Sequence, residues 1–176
     1  MARIPFVDPD ARPQTATLAA QFTGKRGGKL INVYKMLLHS PELAQTWFAH
    51  VNAVRWGTAL DGRLRELLII RIGHLNSCAY ILKQHVPRLA LPEGLTQADC
   101  DAIADWQPST AFSPRERAAL AYTDQMTREI EVADDIFAAL NPHFSEREIV
   151  EITVLVGTYN MHSRVVRALD IDLEND

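Results

Sequence analysis

Apolar residues recur at i, i+3, i+4 and i+7 in at least six stretches of the chain, and prolines and glycines fall mostly between these stretches. That spacing gathers apolar side chains on one face of a helix, while the punctuation marks helix ends. Extended alternating segments are nearly absent, so the pattern predicts an all-α, single-domain helical bundle. Residues 1–13 carry Pro5, Pro9 and Pro13 and predict an arm that packs on the body or on a neighbour. The helical domain then covers 14–176.

Within the domain the spacing predicts helices over 15–22 and 30–38, with a loop at 25–29. Ser40 caps the next helix with Pro41 at its first position, a favoured place for proline, and that helix runs to about Arg55. Asp61 caps a stretch over 63–73 that is apolar on nearly all sides, as a central helix is, and Gly73 is expected to end it. Asn76 or Ser77 starts the following helix, which reaches about Leu89 before Pro92 and Gly94. Thr96 opens another. Ser113 and Glu116 have capping-box spacing and open a long helix to about Arg128. A short helix over 134–140 follows. Ser145 and Glu148 repeat the capping box, and the last helices run to about Leu169 with a break near Gly157.

Composition narrows the function classes. The chain has 176 residues, 47% hydrophobic and 23% charged, which is enough for one domain with a real core. A net charge of −4 does not favour a polyanion, so no nucleic-acid partner is expected. The densest basic stretch, 25–29, is short and glycine-rich. Its Gly27-Gly28-Lys29 lacks the upstream glycine and following Ser/Thr of a phosphate loop. No apolar run reaches the roughly 18 residues of a membrane span, and the first 13 residues hold no apolar signal core. With two cysteines, Cys78 and Cys100, a disulfide framework is not expected. The default class is a cytoplasmic enzyme or binding protein. His74 and His85 make only a loose pair without a metal-ligand spacing, so neither metal nor cofactor is expected.

The chemistry-bearing residues lie on a predicted helical hairpin. Glu66 and His85 each stand about ten residues from its turn near 75–76, which sets them at one height in an antiparallel pair. A carboxylate facing an imidazole orients the ring, fixes its tautomer and raises its basicity. Glu66 is flanked by leucines and isoleucine, where an unpartnered carboxylate would cost several kcal/mol; a salt bridge to Arg63, Arg65 or Arg71 is the alternative. Cys78 is expected in the first turn of its helix, where free N–H groups and the dipole favour a thiolate. The alternative is a small buried hydrophobe. His85 lies seven residues on, on the same stripe but about 10 Å away, leaving room for a ligand between them. Asn160, Met161, His162 and Ser163 form a polar cluster that faces either a pocket or an interface.

These residues resemble the carboxymuconolactone decarboxylase family, which includes the alkylhydroperoxidase D-like proteins. The hydroperoxidase branch carries Glu, eleven residues, then Cys-x-x-Cys-x-x-x-His; here Glu66, Cys78 and His85 match at those spacings. His39-Ser40-Pro41 and the segments 60–71, 80–87, 112–127 and 144–160 extend the resemblance. The departure is Ile81, which stands at the second cysteine and removes the thiol next to the histidine. Tyr80 followed by His85 looks like the decarboxylase-like branch, many of whose members lack the cysteine pair.

That resemblance implies an alkylhydroperoxidase D-like bundle and a cofactor-free, non-redox reaction on a small carboxylated lactone or related acid. His85 would transfer the proton, Glu66 orient it, Arg71 clamp the anion and Tyr80 donate to a developing oxyanion. The competing readings are a peroxiredoxin-type antioxidant enzyme using Cys78, resolved by Cys100 or an external thiol, and a non-catalytic helical oligomer. The family habit implies a homo-oligomer, trimer or hexamer, whose neighbouring subunit could complete the site.

Overall fold

The computed structural model describes residues 1–24 and 28–174, so part of the predicted loop at 25–29 lies outside the described residues. Among the described residues there are nine α-helices and no strand. They are α1 (Pro13–Gly24), α2 (Asn32–Leu37), α3 (Pro41–Trp56), α4 (Gly62–Leu75), α5 (Ala79–His85), α6 (Gln97–Ala102), α7 (Pro114–Glu129), α8 (Asp134–Ala138) and α9 (Glu146–Ala168). A π-helical turn, Val86–Ala90, continues α5, and Pro87, which has no amide proton, lies within it.

The polar residues read as helix starts behave so. Asp61 accepts from the Leu64 N–H at 2.8 Å, and capping boxes close the starts of α6 (Thr96, Asp99), α7 (Ser113, Glu116) and α9 (Ser145, Glu148). A cap of this kind is worth about 1 kcal/mol. Ser40 occupies the cap position of α3 without a side-chain bond, and Pro41 fills the first turn.

Helix α4 is the centre. Every residue from Leu64 to Gly73 is buried, and the helix packs against α5, α7 and α9. Two expectations about glycine fail here. Gly73 does not end α4, which continues to Leu75. Its role is close approach: a methyl group there would lie 2.9 Å from Leu82 Cδ2 and 3.2 Å from Ile81 Cγ2. Nor does Gly157 break the last helix; α9 runs through it for 23 residues. Packing on both sides outweighs the roughly 1 kcal/mol helix cost of one glycine.

The turn between α4 and α5 is tight. Ser77 takes a left-handed conformation (φ 48°), and the Cys78 N–H donates to Gly73 O at 2.8 Å. Asn160 of α9 braces this turn: it accepts from Asn76 Nδ2 at 3.0 Å and donates to Thr127 Oγ1 of α7 at 2.9 Å. The first residues lie against the body, with Val7 buried and its N–H donating to Lys35 O at 3.2 Å. No helix among the described residues is long and apolar enough to cross a membrane.

Candidate active site

The hairpin register brings Glu66 and His85 together. His85 Nδ1 donates to Glu66 Oε2 at 2.5 Å, and the Glu66 side chain is fully buried. The other carboxylate oxygen faces arginines: Arg55 Nη2 at 3.2 Å and Arg65 Nε at 3.6 Å. Burial pushes the Glu66 carboxyl up, but the hydrogen bond and charge of His85, together with Arg55 and Arg65, outweigh it and hold the group below its ordinary value. Tyr159 of α9 meets the His85 ring edge-on, with centroids 5.5 Å apart, and His162 stacks on Tyr159 at 5.9 Å.

A cavity of about 40 Å³ opens beside this pair, lined by Arg55, Tyr80, Ile81, His85, Tyr159 and His162 among others. Such a space holds a few waters or the reacting end of a small molecule. Arg55 is 5% exposed, and its Nε has no hydrogen-bond partner among the described residues. A polar, partly unsatisfied wall with an oriented imidazole can bind an anionic group and exchange a proton with it.

The other expected site residues are placed differently. Arg71 is not an anion clamp on this cavity and does not pair with Glu66. It leaves the opposite side of α4, makes two bonds to Asp124 of α7 at 2.5 and 2.6 Å, and donates to the Ile103 and Ala104 carbonyls. Tyr80 lines the cavity, but its hydroxyl donates to Glu174 Oε1 at 2.5 Å and accepts from the Val33 N–H at 3.2 Å.

Cys78 caps α5 rather than lying in its first turn, with φ −97° and ψ 86°. A cap residue departs from helical geometry, so the seven-residue stripe does not carry its thiol to the His85 side. Cys78 instead borders a separate groove with Val166, Arg167 and Ile171. Burial pushes its thiol up, against smaller opposing effects from nearby backbone N–H groups and Ser163. This reverses the expectation of a favoured thiolate. Cys100 is likewise free and buried, its thiol raised by burial and by Asp99 and Asp101. Among the described residues no group of three or more His, Cys, Asp or Glu is placed to hold a metal.

Sequence reasoning missed Arg55, Tyr159 and Glu174. Arg55 is a charged residue on the buried face of an amphipathic helix, the kind of outlier that signals a partner. Tyr159 and His162 are spaced i, i+3 and so share a face; of the polar cluster noted there, only His162 reaches the cavity, while Asn160 braces the turn and Ser163 bonds Tyr159 O at 2.7 Å.

Comparison with known proteins bears on the fold that carries this site. The model of the carboxymuconolactone decarboxylase family matches residues 41–125, which include α3, α4, α5 and most of α7. The uncharacterized protein YnjA of Escherichia coli is 31% identical over 113 residues, 64% of this chain and 62% of its own length. ATU0492 of Agrobacterium tumefaciens, a protein of unknown function with a suggested role in antioxidant defence, superposes with a TM-score of 0.75 at 29% identity, over 80% of this chain and 97% of that one. A peroxidase-related alkylhydroperoxidase D core protein from Ralstonia eutropha shares the fold, with a TM-score of 0.84 at 21% identity over 99% and 93% of the two chains. Residues 41–125 thus match the carboxymuconolactone decarboxylase family, and the chain as a whole has the alkylhydroperoxidase D-like fold.

Proposed function

We propose that this chain is a cofactor-free acid–base enzyme of the decarboxylase-like branch, acting on a small carboxylated lactone or related acid through His85. The observation that carries this reading is the buried Glu66–His85 hydrogen bond at the wall of a polar cavity. With Nδ1 given to the carboxylate, the ring exchanges protons through Nε2. Breaking the bond to the substrate carboxylate releases CO₂ and leaves the electron pair in the unsaturated ring as a dienolate. The proton on Nε2 is then delivered to carbon. Arg55, in place of Arg71, balances the dienolate charge, and Glu66 stabilises the imidazolium form in which His85 must start.

The test is CO₂ release from a carboxylated lactone. His85→Ala is expected to lower kcat by about 100-fold or more, while Cys78→Ser leaves it unchanged. Full activity in His85→Ala overturns the reading.

The similarity to ATU0492 favours a second reading, a thiol peroxidase. The Cys78 thiolate would attack a peroxide oxygen, the O–O bond would break and an alcohol would leave; one external thiol would displace water from the sulfenic acid, and a second would free Cys78 from the mixed disulfide, leaving as the oxidised thiol pair. Wild-type peroxide turnover with a thiol reductant, lost in Cys78→Ser, would establish it; the raised thiol argues against it.

A further inference from the structure

The residues after α9 return across the hairpin as a strap, Ile171 to Glu174, without helical structure. Ile171 is buried in the core, and the residues after it are held by polar contacts. Asn32 Nδ2 donates to the Asp172 carbonyl at 3.1 Å and to that of Leu173 at 3.4 Å, and Lys83 Nζ donates to the Glu174 carbonyl at 3.2 Å. The Glu174 side chain turns inward and is 5% exposed. Its Oε1 accepts from the Tyr80 hydroxyl at 2.5 Å and from the Asn32 backbone N–H at 2.8 Å.

A carboxylate is costly to bury and settles only where donors are already arranged for it. These donors are themselves fixed: Tyr80 is 4% exposed and Asn32 is 8% exposed. Tyr80 also forms part of the wall that His85 shares. The cavity of about 40 Å³ is far smaller than ligand pockets, which run to about 300–1,000 Å³. A lactone-sized molecule therefore needs a neighbouring group to move; Ile171 anchors the strap by burial and by its N–H to Val166 O at 3.0 Å, whereas Glu174 is held by hydrogen bonds that water or another carboxylate can replace.

We infer that the Tyr80 hydroxyl and the Asn32 N–H form a carboxylate-binding subsite beside the His85 cavity, kept closed by Glu174 of the same chain until an acid ligand takes its place. The subsite stands on the Glu174 contacts alone; that its ligand is the substrate rests on the acid–base reading above. Displacement needs no covalent step: one carboxylate leaves the two donors and another takes them.

The experiment reads binding rather than turnover, so it can fail while the proton-transfer reading stands, and the reverse. Glu174→Ala empties the subsite, and acetate is the probe. Acetate is expected to raise the melting temperature of Glu174→Ala by several degrees more than chloride at equal ionic strength, and more than it raises that of wild type. Adding Tyr80→Phe removes the gain. A shift no larger than chloride gives, or one equal in wild type and Glu174→Ala, overturns the proposal. Should Glu174→Ala fail to fold, wild type decides. Acetate accelerates backbone amide exchange over 171–174 if it displaces the strap, and unchanged exchange overturns the proposal.

Discussion

Arg71 and Asp124 tie α4 to α7 through two parallel hydrogen bonds, Nε to Oδ1 at 2.5 Å and Nη2 to Oδ2 at 2.6 Å. The guanidinium also caps the carbonyls of Ile103 and Ala104 at the turn that follows α6. One side chain thus joins three parts of the bundle, far from the His85 cavity in its bonding. Removing either partner strands the other charge in a buried place. Arg71→Ala and Asp124→Ala are each expected to cost about 3–5 kcal/mol in urea denaturation. The double variant should lose less than the two single losses added together. Strict additivity would mean the pair is not coupled.

A second expectation concerns the closeness of the hairpin. Gly73→Ala places a methyl 2.9 Å from Leu82 Cδ2, so α5 must shift or its leucine must repack. Overpacking of this kind costs about 1–3 kcal/mol. Because His85 rides on α5 and Glu66 on α4, any shift of α5 also displaces the two side chains relative to each other. If the acid–base reading holds, proton-transfer rates should fall in Gly73→Ala even at temperatures where circular dichroism finds it fully folded. Unchanged kcat in the folded variant would show that the pair tolerates helix displacement.

Acid should undo the bundle through its partnered carboxylates. Burial raises Glu116, but the Ser113 N–H and hydroxyl and Arg63 outweigh it and hold the group below its ordinary value of 4.5. Glu66, Asp61 and Asp99 are lowered in the same sense. For each, the folded value lies below the unfolded one, so its stabilising contribution is complete above the unfolded value. That contribution is lost as pH falls through the folded value. The urea midpoint should be flat down to about pH 5 and drop below it. Glu116→Gln should be less stable than wild type at neutral pH, with the gap closing in acid. A gap that persists at low pH would assign Glu116 a role independent of its charge.

The helix starts and the hairpin register were legible because both depend on local rules. Asp61, Thr96, Ser113 and Ser145 satisfy N–H groups within three residues of themselves, and Glu66 meets His85 because both are equally far from one turn. Gly73 and Gly157 misled because a glycine inside a helix is read as a stop unless its packing is known. Arg71 was assigned by type and by resemblance; nothing local identifies Asp124, 53 residues away, as its partner. Cys78 turned on a single residue of helix phase, since the left-handed Ser77 moves it out of the first turn. Glu174 was invisible for the same reason as Asp124: its donors, Asn32 and Tyr80, lie 142 and 94 residues back in the chain.

Ile81 fills the position that a second sulfur holds in the hydroperoxidase branch, and it is sealed against Gly73 and the cavity wall. A vicinal dithiol shuts down when its surroundings become oxidising and waits for a reductase to restart it. With a hydrocarbon branch in that place, α5 cannot cross-link between 78 and 81. On the acid–base reading proposed above, chemistry at His85 would then not depend on the redox state of α5.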